Sequence, residues 1–367
     1  MTTRVPSCVV LAAGEGTRMR STRPKPLHLL CGRAMLLHIL DAMAKVPVER
    51  AVVVVGHGAE RVTKKLIDEG PAGLTIDFVE QRVQRGTGDA LMVGLSAVPD
   101  DDPDDEDDAE VVVVPGDAPL IRPATLAQLV RTHRERGAAA TLLSARLSEP
   151  KGYGRVIRGR DGGVRRIVEE VEAGPEEKAI DEVATSIYCF RRSLMAPALR
   201  RLTPENRQGE YYLTDVIEVL AAAGHPVSSL VVDDPNEVVG VNDRAQLAVA
   251  EAELRRRINQ RWMSQGVTMV DPQRTYVDAG VRLAPDVTLF PGTMLGGQTV
   301  VAEGAEVGPD TRLVDSSIGA GAVVAHTVGT NAEIGEGAVV GPFAALGPGA
   351  VVATGASTGP FYTAPER

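Results

Sequence analysis

The sequence predicts two architectures in one chain of 367 residues: an α/β domain with a mostly parallel, Rossmann-like sheet, then a parallel β-helix. Three observations predict them. Short apolar runs alternate with helical spacings in the first two thirds of the chain. A glycine-rich loop closes the first of those runs. In the last third, an aliphatic residue recurs at every sixth position.

The elements follow in order. Cys8 to Ala13 reads as a buried strand that runs into L-A-A-G-E-G-T-R-M, from Leu11 to Met19. Met35, Leu36, Ile39, Leu40 and Met43 recur at helical spacing. Ala51 to Val55, Leu74 to Val79, Val111 to Val114 and Ala139 to Leu143 read as further strands, with Leu126, Leu129 and Val130 on a helix between the last two. Continuous valine runs with helical crossovers imply a mostly parallel sheet covered on both faces. Ligands of such sheets sit at the carboxyl ends of the strands, where the glycine loop lies. Asp243 to Met263 holds no Gly or Pro, and Leu247, Glu251, Leu254, Ile258 and Trp262 follow at helical steps, so a long helix is expected. The domains predicted are 1–242 for the α/β part, 243–265 for the linker helix and 266–367 for the β-helix.

The repeat is explicit. Leu283, Leu289, Leu295, Val301, Val307 and Leu313 are each six apart; Ile318 comes one short, and Val324 resumes the step. Ile334, Val340, Leu346 and Val352 repeat it, and Gly308, Gly319, Gly335, Gly341 and Gly347 each follow an aliphatic. A hexapeptide repeat stacks flat faces into a parallel β-helix with one aliphatic side chain per face pointing inward.

Composition excludes several classes. The formal charge is −10, but residues 100–110 carry nine acids and no base, and the rest of the chain is near neutral. Nucleic-acid binding therefore has no electrostatic support, and the acidic run reads as a solvated loop. Cys8, Cys31 and Cys189 form no C-x-x-C pair, which argues against a disulfide framework or a zinc site. No stretch approaches the ~18 apolar residues of a membrane span, and no basic, apolar leader is seen. A cytoplasmic setting without a membrane partner is expected. His28, His38, His57, His133 and His225 show no H-x-x-x-H or triad spacing.

Chemistry concentrates at loops. Gly14 and Gly16 let the backbone turn sharply and bring N–H groups against an anion, and Arg18 and Lys25 add two cations. A triphosphate suits such a site. The dinucleotide fingerprint would need a glycine where Met19 sits, and no G-K-[ST] is present. Asp117, in P-G-D-A-P-L after a buried strand, is suited to Mg²⁺ on nucleotide phosphates, although a turn aspartate would look the same. In E-Q-R-V-Q-R-G-T-G, Gln81 can donate and accept at a base edge, and Gly86 and Thr87 can present backbone groups. G-Y-G-R, from Gly152 to Arg155, could bring backbone against a sugar or be a bare hairpin feature.

Taken together and in order, these segments, with I-V-E at Ile167–Glu169, Q-G-E-Y-Y-L-T-D at Gln208–Asp215, G-V-N-D-R at Gly240–Arg244 and the hexapeptide tail, resemble the bacterial N-acetylglucosamine-1-phosphate uridylyltransferases, the N-terminal half of bifunctional GlmU proteins. The resemblance runs from about Ser7 to Phe361. It implies a left-handed β-helix, a homotrimer, Mg²⁺ as cofactor, and UTP and a sugar-1-phosphate as substrates. It places Leu11, Ala12, Ala13, Gly14 and Gly16 on the nucleotide, with Gln81, Gly86 and Thr87 on the uracil. Arg18 and Lys25 become the catalytic cations, Asp117 and Asn242 the metal ligands, and Gly154, Glu169 and Thr214 the sugar contacts. The reaction implied is in-line attack of the sugar phosphate on the α-phosphate of UTP, releasing pyrophosphate.

Departures from the pattern bear on the acceptor. Ala184 stands where the family has an asparagine, and Val171 where it has a lysine. Gly347 replaces an arginine, His326 lies too early to serve as an acetyl-transfer base, and the acetyltransferase coils of the family extend past Arg367, so no acetyltransferase activity is expected. T-G-P-F-Y-T-A-P is placed to cap the helix end. The alternatives are a nucleotidylyltransferase making a dTDP- or ADP-sugar, and a non-catalytic nucleotide-sugar sensor or scaffold.

Overall fold

The computed structural model describes residues 5–48, 50–98 and 109–364. Most of the acidic run lies outside these residues. The chain forms two compact units, one comprising 1–28 and 34–246, the other 29–33 and 247 onward.

The first unit is built on a nine-stranded sheet. Its strands are β1 (Ser7–Ala12), β2 (Arg50–Val55), β3 (Thr75–Glu80), β4 (Glu110–Pro115), β5 (Ala140–Arg146), β6 (Arg155–Arg158), β7 (Val164–Val168), β8 (Glu182–Arg191) and β9 (Val227–Val231). The order across the sheet is β9-β5-β8-β4-β1-β2-β3, with β6 joining β8 to β7. β4, β1, β2 and β3 run parallel, as the valine runs predict. Leu11 pairs with Pro115 and Ala12 with Val55, so three carboxyl ends finish level. One apolar cluster covers each face, around Val10, Val53 and Leu40 on one side and Val9, Val113 and Leu91 on the other.

Four strands, β6 to β9, have no counterpart in the sequence reading, and β8 matters most for the site. β8 is antiparallel to both β4 and β5, and its register slips between Ala184 and Tyr188, where Ser186 takes φ 59°. The slip is a bulge of the kind that re-aims side chains beside a site.

The second unit stacks short parallel strands in three faces. Met269, Leu289, Val307, Val324 and Val340 line up on one face. Val277, Leu295, Leu313, Gly329 and Leu346 line up on the next, and Leu283, Val301, Ile318, Ile334 and Val352 on the third. These are the inward aliphatics of the hexapeptide spacing. The break after Val324 is explained by Gly329, which occupies the inward position between Leu313 and Leu346. A Cβ there would stand 2.9 Å from a Leu313 methyl.

A second buried position, two residues before each aliphatic, was not apparent from the spacing. Thr293, Thr299, Ala305, Thr311, Ala322 and Ala338 fill it, all fully buried. The threonine hydroxyls are satisfied locally, as in Thr293 Oγ1 to Phe290 O at 2.7 Å and Thr299 Oγ1 to Gly296 O at 2.7 Å. Thr363–Ala364 pairs in register with Ala345–Leu346 and adds a rung.

The long helix spans Arg244–Ser264. Within the second unit, Ile258 packs in the β-helix core and Asn259 Nδ2 donates to Pro272 O and Thr275 O at 2.8 and 2.9 Å. Cys31 belongs to this unit as well: its N–H donates to Glu251 Oε2 at 2.8 Å and its carbonyl accepts from Ala279 N–H at 2.9 Å. Among the described residues, no helix is long and apolar enough to cross a membrane.

Candidate active site

Three segments far apart in the chain meet at the level ends of β1 and β4. After β1, Gly16 adopts φ 64° and opens a single 3-10 turn, Thr17–Met19, pinned by the buried Met19. A side chain at Gly16 would put its Cβ 2.6 Å from the Cβ of Lys25, so the missing side chain is what lets Lys25 pass over the loop. Lys25 Nζ donates to Asp117 Oδ2 at 2.5 Å and to Asn242 Oδ1 at 2.8 Å. Arg18 Nη2 donates to the same Asn242 oxygen at 3.0 Å. Asp117 is held by its own carbonyl, which accepts from Val241 N–H at 2.8 Å. Asn242 N–H donates to Gln246 Oε1 at 2.7 Å. The structure thus brings together Arg18, Lys25, Asp117 and Asn242.

Asp117 and Asn242 present two hard oxygen donors side by side. Among the described residues no three acidic, histidine or cysteine groups gather into a metal cage. That donor set fits Mg²⁺, which is bound through one or two protein oxygens and keeps waters and substrate phosphates as its other ligands. Lys25 balances the Asp117 charge, and its two bonds orient both oxygens toward one point.

Tyr153 is a neighbour that the glycines of G-Y-G-R concealed. Its phenol is hydrogen-bonded to the Gly240 backbone, and burial raises its pKa, with the Asp117 charge adding to the shift.

The second group follows β3. Gln81 N–H donates to Val55 O at 2.8 Å, and the Gln81 side chain is 3% exposed. Its Nε2 donates to Asp89 Oδ2 at 2.7 Å and to Gly86 O at 3.3 Å. Gly86 has φ 105°, and a Cβ would meet Tyr211 O at 2.6 Å. Thr87 Oγ1 accepts from Leu213 N–H at 3.0 Å, so this hydroxyl ties down the 211–213 segment.

The third group joins Gly154, Glu169 and Thr214. Thr214 Oγ1 donates to Glu169 Oε1 at 2.9 Å, and Gly154 O accepts from Ala184 N–H at 2.9 Å. Burial raises the Glu169 pKa against the Thr214 bond. Burial, then the Glu169 charge, raises Asp215 to about 6. Ala184 is buried, and Val171 is 39% exposed. The Tyr188 hydroxyl, on the same bulged strand, is buried without a hydrogen-bond partner.

Comparison with known proteins places this geometry. A nucleotidyl transferase family model matches residues 7–263. The bifunctional protein GlmU of Desulfitobacterium hafniense is 46% identical over 337 residues, covering 92% of this chain and 71% of that protein. Its namesake in Thermobifida fusca is 45% identical over 332 residues, covering 90% and 68%. That of Mycobacterium bovis is 46% identical over 337 residues, covering 91% and 67%. A crystal structure of UDP-glucose pyrophosphorylase complexed with UDP-glucose aligns with TM-score 0.55 at 14% identity, over 69% of this chain and 100% of that one; this likeness concerns the fold alone.

Proposed function

Because the chain belongs to the GlmU family of nucleotidyl transferases, we propose that it couples UTP and N-acetylglucosamine-1-phosphate into UDP-N-acetylglucosamine and pyrophosphate. It is a sugar-1-phosphate uridylyltransferase. The observation that carries the reading is the convergence of Arg18, Lys25, Asp117 and Asn242 on one point.

The chemistry asks for little beyond placement and charge. An oxygen of the sugar phosphate forms a bond to the α-phosphorus of UTP, and the bond from that phosphorus to the β-phosphate oxygen breaks. The leaving pyrophosphate takes the electron pair. No covalent enzyme intermediate is needed. Asp117 and Asn242 would hold Mg²⁺, which supplies positive charge to the triphosphate when bound. Lys25 and Arg18 turn from Asp117 and Asn242 to the phosphates and stabilise the charge that builds up there. The backbone of Leu11 to Gly16 carries the nucleotide, Gln81 to Thr87 reads its base, and Gly154, Glu169 and Thr214 orient the sugar so that the two reactants meet in line.

The working form is a homotrimer. Exposed valines on the faces of the β-helix, Val300, Val323, Val328, Val339 and Val351, support association through that unit. Light scattering on a sizing column tests the trimer.

The function is tested with Mg²⁺ and a panel of nucleoside triphosphates crossed with sugar-1-phosphates, scored by pyrophosphate release. UTP with N-acetylglucosamine-1-phosphate is expected to lead. A preference for another acceptor would trace to Ala184 and Val171, and a purine preference or a silent panel would overturn the proposal.

A further inference from the structure

We propose that Asp89 is a positioning residue that decides which hydrogen bond Gln81 offers to the base, and thereby favours uracil over cytosine. The inference rests on the nucleotide reading above and deepens it.

Gln81 and Asp89 are 3% and 4% exposed, and they face each other at the start of helix Thr87–Leu95. The Gln81 amide nitrogen has two acceptors, Asp89 Oδ2 at 2.7 Å and Gly86 O at 3.3 Å. A carboxylate and a peptide carbonyl cannot donate, so the amide has one stable orientation. Turned over, its oxygen would confront two oxygens. Both N–H groups are therefore used, and Gln81 Oε1 is left for a ligand. No described group donates to it.

Asp89 is itself fixed. Its Oδ1 lies 3.0 Å from Nη2 of Arg85, four residues earlier in the loop that precedes the helix. The carboxylate thus has one oxygen for Arg85 and one for Gln81. A side chain with an acceptor alone to offer selects a ligand that brings a donor. The imide N3–H of uracil is such a donor, whereas N3 of cytosine is an acceptor and would be repelled. A site whose buried polar groups would be left unmatched rejects the wrong ligand more strongly than shape does.

The test uses the full chain with Mg²⁺ and N-acetylglucosamine-1-phosphate. Wild type is first given UTP, CTP and N3-methyl-UTP, then Asp89→Leu and Asp89→Asn are compared on UTP and CTP. Wild type is expected to use UTP well and the other two poorly. Asp89→Leu frees the amide to turn, so KM for UTP rises about tenfold with kcat little changed, and the UTP-to-CTP ratio of kcat/KM falls about tenfold. Asp89→Asn keeps a carbonyl for the Gln81 amide and retains most of the ratio. A folded Asp89→Leu with an unchanged ratio, or an equal collapse in both variants, overturns the proposal. So does a wild type that accepts N3-methyl-UTP as readily as UTP, a result that needs no variant to fold. Failure of the underlying function shows at the first step instead, as no pyrophosphate from UTP.

Discussion

The two units of this chain are built on opposite rules. In the β-helix each strand pairs with one a single coil away: Leu289 with Val307, Val307 with Val324, Val324 with Val340. In the sheet unit β1 is flanked by residues 50–55 and 110–115, and the antiparallel β8 enters between strands that precede it. Stacked repeats sum the terms of nearest neighbours. The candidate site does the reverse, gathering residues 18, 25, 117 and 242 onto the rim of a sheet. Its side chains are polar and reach solvent, so they can be removed without opening the apolar core. Chemistry and stability are therefore carried by different residues.

The sharpest way to break that separation is at the site. Lys25→Ala and Asp117→Ala should each lower turnover by ~10²–10³-fold. Their side chains are 14% and 27% exposed, so losing one partner of this mostly buried pair should cost about 1–3 kcal/mol and leave the sheet unit folded. Loss of the folded sheet unit in a thermal melt would show that the cluster is structural after all.

The next effect lies in the other unit. Leu313, fully buried between Leu295 and Gly329 on one face, should cost about 3 kcal/mol when changed to Ala, because the gap has few ways to close. Pyrophosphate release at 25 °C should stay at the wild-type rate. A parallel fall in release would mean that nucleotidyl transfer depends on the β-helix core.

A smaller, pH-dependent effect sits on the long helix. A hydrogen bond from Arg256 and a weaker one from Arg257 hold the Glu253 carboxyl at about 2, against an ordinary value of 4.5 and in spite of burial. A depressed carboxyl stabilises the folded state above its unfolded pKa and loses that contribution as pH falls through its folded one. Arg256 is 56% exposed, which screens the pair. Glu253→Gln should therefore cost only about 1 kcal/mol at pH 7 and nothing near pH 2. Melts that differ equally at both pH values would remove the ion pair from the account.

Much of the fold was legible because periodicity is local. Cys8–Ala13 foretold Ser7–Ala12, and Ala51–Val55 foretold Arg50–Val55. The hexapeptide aliphatics land on the three faces where the spacing puts them. Less local features escaped. The small buried residue two before each aliphatic was hidden because Thr and Ala look like surface residues, and the short step at Gly329 was hidden because a glycine carries no side chain to count. The strand Glu182–Arg191 was missed because its bulge breaks any regular alternation. At the site, the residue types at Arg18, Lys25, Asp117 and Asn242 were readable one by one, but Tyr153 was not, since its neighbours Asp117 and Gly240 come from distant segments, and Asp89 was not, since its bond to Gln81 depends on the turn the chain makes at Gly86.

The sequence by itself determined the two architectures, the repeat and the chemical kinds of side chain at the glycine loop, because these depend on patterns a few residues long. Only the tertiary structure decided which of those side chains share a point. Lys25 can bridge Asp117 and Asn242 because the parallel strands end level and Gly16 leaves room for it to cross. The direction of the Gln81 amide was likewise settled by Asp89 and Gly86, since two acceptors packed around one amide leave it a single way to turn.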